Sequence, residues 1–526
     1  LQAGRLDEAE AAVRSYLRSA PRDPSGHTLL GVILDQRGRE AEAEQSYNTA
    51  LKLDPNNVSA RSNLGVLLAR TKRIDQAIEM FEAVLRVEPT HAKANFNLGA
   101  LYSARGDYAR AIPLLERVLS QQKNQTGISD LGLLIMLTGA YLHVERIDDA
   151  NKLADRIEQL ANDDARTLFT LGLTLAEGQQ YARAAQLFER TNTLRPQRYE
   201  VLYNLGIAYY NLEQLDKAAQ ALRSAAQLAP READPFYRLG LIASALGDSK
   251  LALEYWSKAI ELRPTLAEAN FMIGEELLKR RVPENAVRFY ARALELDPGK
   301  LIYHIRLGVA HVRSQQYQEG RAVFARALER FPNDANLYFL VGYAARAEGQ
   351  YDDAIAAFKR SLEIKPDNPD VFTNLGFIAG QRGQDAEAER LLRQAIKIDP
   401  DNFPAYHDLG RLLVKSKRYD EALLLLQRGA ALNKEDPGVH YQLFLAYSRL
   451  KRKADADREL AIFRQFEETR SHAPTPPGAS RPGMASEDAT TSPPLPAAAA
   501  GDGNKPPEPA PLPQSATAGS AKRPGP

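Results

Sequence analysis

Eleven glycines inside apolar, helix-forming stretches keep a fixed distance from one another. Gly31, Gly65 and Gly99 form one run; Gly172, Gly206, Gly240, Gly274, Gly308, Gly342, Gly376 and Gly410 form another, each 34 residues after the last. A chain of 526 residues with this self-similarity does not fold around one core. It builds a row of small units, each closing its apolar face against the next.

Other positions hold the same phase. Twelve residues after each glycine stands a small residue: Ala43, Ala77, Ala111, Ala184, Ala218, Ala252, Ala286, Gly320, Ala354, Ala388 and Ala422. Sixteen after stands a bulky one, such as Tyr47, Phe81, Phe188, Trp256, Tyr290, Phe324 or Phe358. Twenty-four after, proline is usual, as at Pro55, Pro89, Pro196, Pro264, Pro332 and Pro400. Glycine and alanine let two helix backbones approach closely, and the bulky residue is expected to fill the space between neighbouring units. Proline has no N–H to donate and ends the second helix. Turn sequences such as Arg105-Gly106-Asp107 and Glu348-Gly349-Gln350 separate the two helices. Each unit therefore reads helix, short turn, helix, proline break.

The pattern closely resembles the tetratricopeptide-repeat (TPR) family. The segment Gly342 to Pro366 carries the resemblance well, with its glycine, the turn from Gly349 to Ala354, then Phe358 and Pro366. The resemblance implies an all-α fold, a TPR α-solenoid: a right-handed superhelix of helix–turn–helix repeats. Residues 1–23 match only a second helix, through Gly4, Ala9 and Pro21, and residues 24–470 read as an array of 13 repeats. The phase slips once. Thr138 takes the glycine slot 39 residues after Gly99, which places an insertion near 120–130. The last repeat has Phe444 in that slot. Residues 471–526 contain 14 prolines and almost no large apolar side chains, so they read as a disordered Pro/Ala-rich tail.

Composition narrows the function. Lys and Arg total 68 against 67 Asp and Glu, so no global field draws the chain to nucleic acid or an anionic membrane. There is no cysteine, which removes disulfides, thiolate metal sites and thiol catalysis. The longest near-apolar run, Leu131 to Leu142, is too short to span a bilayer. No signal peptide is visible, and a start at Leu1, inside a repeat, reads as a missing native N-terminus. The compartment is not specified; a soluble protein of a bacterial cytoplasm or periplasm fits.

No phosphate loop, paired-histidine metal helix or nucleophile elbow is present. His304 and His311 share a helical face, but both fall in packing slots and read as core or interface histidines. The tail's Pro493 to Pro496 forms a Pro-x-x-Pro, read as coincidence in so proline-rich a segment. The expectation is no enzyme, no catalytic residue, no metal and no cofactor.

The family resemblance implies that first helices line a concave groove, with residues three before and one after the glycine facing inwards. In the first slot stand Phe96, Phe169, Tyr203, Tyr237, Phe271 and Phe339; in the second, Leu173, Ile207, Leu241 and Tyr343 among others. Two readings of these rings stand side by side: they dock an extended peptide or amphipathic helix, or they seal adjacent repeats. Two before the glycine, Asn97, Asn204 and Asn374 match a slot where asparagines hold peptide backbone in grooves resembling that of the O-linked N-acetylglucosamine transferase. Met136, Thr170, Arg238, Met272, Arg306 and Leu340 interrupt this ladder. Lys93 and Asn97 match two slots of a two-carboxylate clamp, whose preceding repeat is broken by Ser62 and Val66. The expected function is a protein-interaction scaffold or adaptor binding peptides or protein segments in that groove. The alternative is the substrate-recognition arm of a larger enzyme, such as a glycosyltransferase whose catalytic domain is absent from this chain. Nucleic acid is not an expected partner, because the groove slots are apolar or amide rather than basic.

Overall fold

The computed structural model describes residues 5–122 and 131–472. Among these, every regular element is a helix, from Leu6–Ser19 to Lys453–His472. Residues 123–130, where the insertion was expected, lie outside the described residues. So does the tail from residue 473, with Pro493 to Pro496. The chain divides into two compact units, Leu1–Ile242 and Ala243–Pro526. Within each, helices alternate in antiparallel pairs: Pro24–Gln36 with Glu40–Leu53 in the first, Ala335–Ala347 with Tyr351–Ile364 in the second.

Many first helices open on side-chain caps, though Tyr199–Asn211, Ala267–Lys279 and Leu301–Arg313 do not. Asp23 accepts from the N–H groups of Ser25 and Gly26, Asn57 from Ala60, Asp334 from Leu337 and Asp436 from Val439. Each such cap satisfies an N–H the helix cannot, worth about 1 kcal/mol. Pro24, Pro369 and Pro437 then occupy the first helical position, where no N–H is needed. Between the two helices of a pair the chain turns through one left-handed residue. Glycine fills it at Gly349 (φ 83) and Gly383 (φ 74), but Lys72 (φ 63), Gln315 (φ 61) and Lys417 (φ 62) fill it elsewhere.

Close approach of the two helices explains the repeat glycine. A Cβ on Gly342 would stand 2.6 Å from the Phe358 ring, and one on Gly274 2.6 Å from the Tyr290 ring. The bulky residue therefore packs over the glycine of its own pair, not only between neighbouring units. Phe188, Phe324 and Phe358 are fully buried there, each contributing roughly 1.5–3 kcal/mol by leaving water. The small residue four positions earlier is held by backbone proximity: a Cβ on Gly320 would lie 3.0 Å from the Gly308 carbonyl. Thr138, one of two non-glycines in this slot with Phe444, shows the opposite solution. Its partner sixteen residues on is Ala154, and both are fully buried.

Charged side chains also tie neighbouring pairs together. Arg73 meets Glu44 at 2.7 Å, Arg146 meets Glu116 at 3.1 Å, Arg382 meets Asp352 at 2.8 Å and Arg418 meets Glu389 at 2.6 Å. These are largely exposed, so each is worth about 0–1 kcal/mol. They add pairing to a surface that composition alone reads as solvated.

Candidate functional site

Residues three before and one after each glycine are four apart, hence on one face of the first helix. In the first unit, Phe96, Asn97, Phe169 and Leu173 are half-buried, while Tyr203, Asn204, Ile207, Tyr237 and Leu241 are buried. In the second unit, Phe271, Phe339, Tyr343 and Asn374 are all buried.

The rings have partners. The Phe169 centroid lies 5.7 Å from that of Phe188, Phe271 lies 5.7 Å from Tyr290 and 5.0 Å from Tyr303, and Phe339 lies 5.8 Å from Phe358. In each case one neighbour is the bulky residue of the same helix pair. Tyr203 stacks on Tyr199 at 5.6 Å. Little ring area is left open at Tyr203, Phe271 and Phe339, whereas Phe169 keeps part of its ring exposed.

The asparagines are arranged differently. Asn204 Nδ2 donates to the Glu200 carbonyl at 2.7 Å, and Asn374 Nδ2 donates to the Asp370 carbonyl at 2.7 Å. Both side chains are 6% exposed, and both Oδ1 atoms are buried without a hydrogen-bond partner. The helix thus fixes each amide by its donor and leaves its acceptor unmet, which costs about 1–3 kcal/mol for a desolvated group. Each oxygen is covered, so an outside N–H reaches it only if a neighbouring side chain moves. Asn97 Nδ2 makes the same bond to the Lys93 carbonyl at 2.8 Å, and Lys93 Nζ donates to Asn63 Oδ1 at 3.0 Å.

Where asparagine is replaced, the second unit carries charge. Arg306 Nε donates to Glu275 at 2.7 Å, and Tyr290 donates to the same carboxylate at 2.6 Å. Burial, then Glu275, push the Tyr290 hydroxyl far above the ordinary tyrosine range. Further along, Arg346 is buried beneath Tyr343 and Phe377. Burial alone would raise the Asp408 carboxyl. His407, Arg411 and Arg346 more than offset that and hold it below the usual carboxylate range. Asp408 stands two before Gly410, in the asparagine slot, but Arg346 is not among the sequence-predicted site residues. The available signal was an arginine four residues after the glycine, where the neighbouring repeats carry Leu278, Val312, Gly380 and Val414.

The histidines sit in packing positions. His304 is buried, its Nε2 3.2 Å from the Pro298 carbonyl and its ring edge-on to Phe331; His311 bonds Gln316 at 2.7 Å. Among the described residues no helix is long and apolar enough to cross a membrane.

Models of the tetratricopeptide repeat match residues 1–58, 57–124, 102–168, 175–239, 237–300, 305–369, 345–413 and 405–438. No curated protein matches the sequence significantly. Among solved structures, yeast Tom70 is similar at 16% identity over 85% of this chain and 96% of its own, with a TM-score of 0.33. YrrB, a TPR protein with an unusual peptide-binding site, is 26% identical over 36% of this chain and 97% of its own, with a TM-score of 0.32. The C-terminal part of a TPR repeat-containing protein from Cytophaga hutchinsonii is 17% identical over 46% of this chain and 99% of its own, with a TM-score of 0.42. With repeat models matching from residue 1 to 438 and the glycine spacing realised as helix pairs, this chain belongs to the tetratricopeptide-repeat family.

Proposed function

We propose that this chain is a non-catalytic protein-interaction scaffold whose repeat array, residues 24–470, holds extended protein segments against its first helices. Repeat arrays of this family commonly serve as interaction scaffolds, and the chain's membership supports that class of function. The observation that carries the finer reading is the pair of buried, unpartnered Oδ1 atoms on Asn204 and Asn374. Each is pre-aligned by its own helix and short of one donor, and a peptide backbone N–H supplies it, without regard to sequence, once the side chains covering the oxygen shift aside. Aromatic rings beside them contribute shape more than area, since most are occupied by their own helix pairs. Specificity then rests on the half-buried positions, Phe96, Phe169 and Leu173 in the first unit, and on charge in the second.

The test is a peptide-display selection on the full chain, followed by calorimetry of the selected peptides on the native protein and on second-helix surface variants such as Leu424→Ser. Leu424 is 71% exposed and lies on the second helix of its pair. Binding that survives Leu424→Ser and is lost on Asn374→Ala or Asn204→Ala fits the proposal. Peptides sensitive only to the second-helix variant would place the docking face elsewhere.

A further inference from the structure

Arg346 occupies an unusual environment for a guanidinium. It is 7% exposed, with its central carbon 5.2 Å from the Tyr343 ring centre and 4.8 Å from that of Phe377. It reaches the Tyr343 hydroxyl, yet its Nε is buried without a hydrogen-bond partner. No ion-pair partner stands beside it among the described residues. Arg411 lies over the same Phe377 ring at 5.6 Å, and exposed Arg313 adds its charge at Tyr343. The carboxylate in this cluster is Asp408, already shared by Arg411 at 3.5 Å and the His407 ring at 3.6 Å. Two guanidiniums, Arg346 and Arg411, thus act on one carboxylate, while Arg313 acts at the Tyr343 ring.

We propose that this cluster, in the second unit, is a binding site for the side-chain carboxylate of an acidic protein segment. The proposal rests on the scaffold reading above and adds to it the chemistry of the partner. Burial has already stripped water from Arg346, and the two rings hold its plane. A carboxylate arriving at the small part of Arg346 that stays exposed therefore meets a largely desolvated donor already oriented by the rings, the setting in which charge-assisted bonds are strongest. It also brings the local charge closer to balance. Arginines stand on three first helices of this unit, at Arg313, Arg346 and Arg411, with the arginine-free helix Pro369–Gln381 between the last two. That spread suits acidic side chains along an extended segment rather than the single carboxylate of a chain end.

The probe is a short fluorescein-labelled, C-terminally amidated peptide in which Glu alternates with Gly, Phe and Leu. It is compared with its Glu→Gln counterpart, and with that counterpart carrying a free C-terminal carboxylate. Anisotropy is read on the full chain at low and high salt. The Glu peptide should bind about 10-fold tighter than either Gln form, with the gap narrowing as salt rises. Arg346→Met, which keeps a flexible stem between the rings, should close the gap while leaving the Gln peptide's affinity in place. Should that variant fail to fold by circular dichroism, the half-buried Arg411→Gln should narrow the gap instead. Equal binding of Glu and Gln peptides to the native chain, or a gap unchanged in the folded variant, overturns the carboxylate site alone. A free-terminus Gln peptide as tight as the Glu peptide overturns the side-chain assignment. If no peptide binds at any concentration, the docking face falls together with it.

Discussion

The Phe358 ring lies over Gly342 so closely that a Cβ on the glycine would come within 2.6 Å of it. The same relationship joins Gly172 to Phe188, whereas Thr138 is matched by Ala154. Volume is thus conserved across the contact while its side is exchanged. Gly342→Ala should be destabilising: overpacking costs roughly 1–3 kcal/mol, and better helix propensity returns only about 1 kcal/mol of it. Phe358→Leu in that background should recover part of the loss, so that chemical denaturation of the four-member cycle shows clear coupling. Additive effects would mean that the two residues do not share this space.

The turn positions offer the opposite change. Lys72, Gln315 and Lys417 hold left-handed backbone, which costs a side-chain-bearing residue roughly 1–2 kcal/mol. Glycine removes that strain but loses more entropy on folding, about 0.5–1 kcal/mol. Each of Lys72→Gly, Gln315→Gly and Lys417→Gly should therefore be neutral to stabilising by up to about 1 kcal/mol, and the triple variant should melt higher than the parent. A lower melting temperature would show that these side chains make contacts outweighing the strain.

His304 predicts a pH dependence. Burial lowers its pKa; the Pro298 carbonyl opposes this, and Arg330 and Arg326 reinforce it. A histidine harder to protonate folded than unfolded contributes stability that is full above the ordinary value, about 6.5, and is lost as pH falls below it. Unfolding free energy should drop between pH 7 and 5, and His304→Gln should flatten that slope relative to the parent. Parallel curves for the two proteins would assign the pH response to other groups.

Tyr203 and Tyr237, 7% and 9% exposed, should behave as structural rings. The double variant Tyr203→Ala with Tyr237→Ala is expected to unfold at a clearly lower temperature, since truncating a buried aromatic costs roughly 3–5 kcal/mol. An unchanged melting curve would return these rings to the ligand-docking reading.

Much of this was legible in the chain because the repeat is written in local sterics. Gly342, Ala354, Phe358 and Pro366 each report a contact or break inside one pair, so spacing alone reveals the helices. What stayed hidden is partly local geometry and partly contact between neighbouring pairs. Spacing marks the position of Tyr203 and Phe271 on a first helix, but their burial is decided by Tyr199, Tyr290 and Tyr303. The left-handed turns at Lys72 and Gln315 carry no glycine to announce them. Arg346 departs from its slot in the sequence, yet its significance comes from Phe377, one repeat on, and Asp408, two repeats on. Asn204 and Asn374 were visible as a slot; the unmet acceptor on each appears only with the helix carbonyl that takes the donor.

Whether first-helix asparagines hold a partner's backbone is decided by calorimetry on Asn204→Ala and Asn374→Ala, singly and together. Truncation removes one hydrogen bond worth about 1 kcal/mol together with a buried unmet acceptor, so the melting temperature should change little. A peptide selected on the native chain should lose about tenfold or more in affinity for the variant lacking the asparagine it uses, at nearly unchanged stability. Native affinity in the double variant, with the protein fully folded, would contradict it.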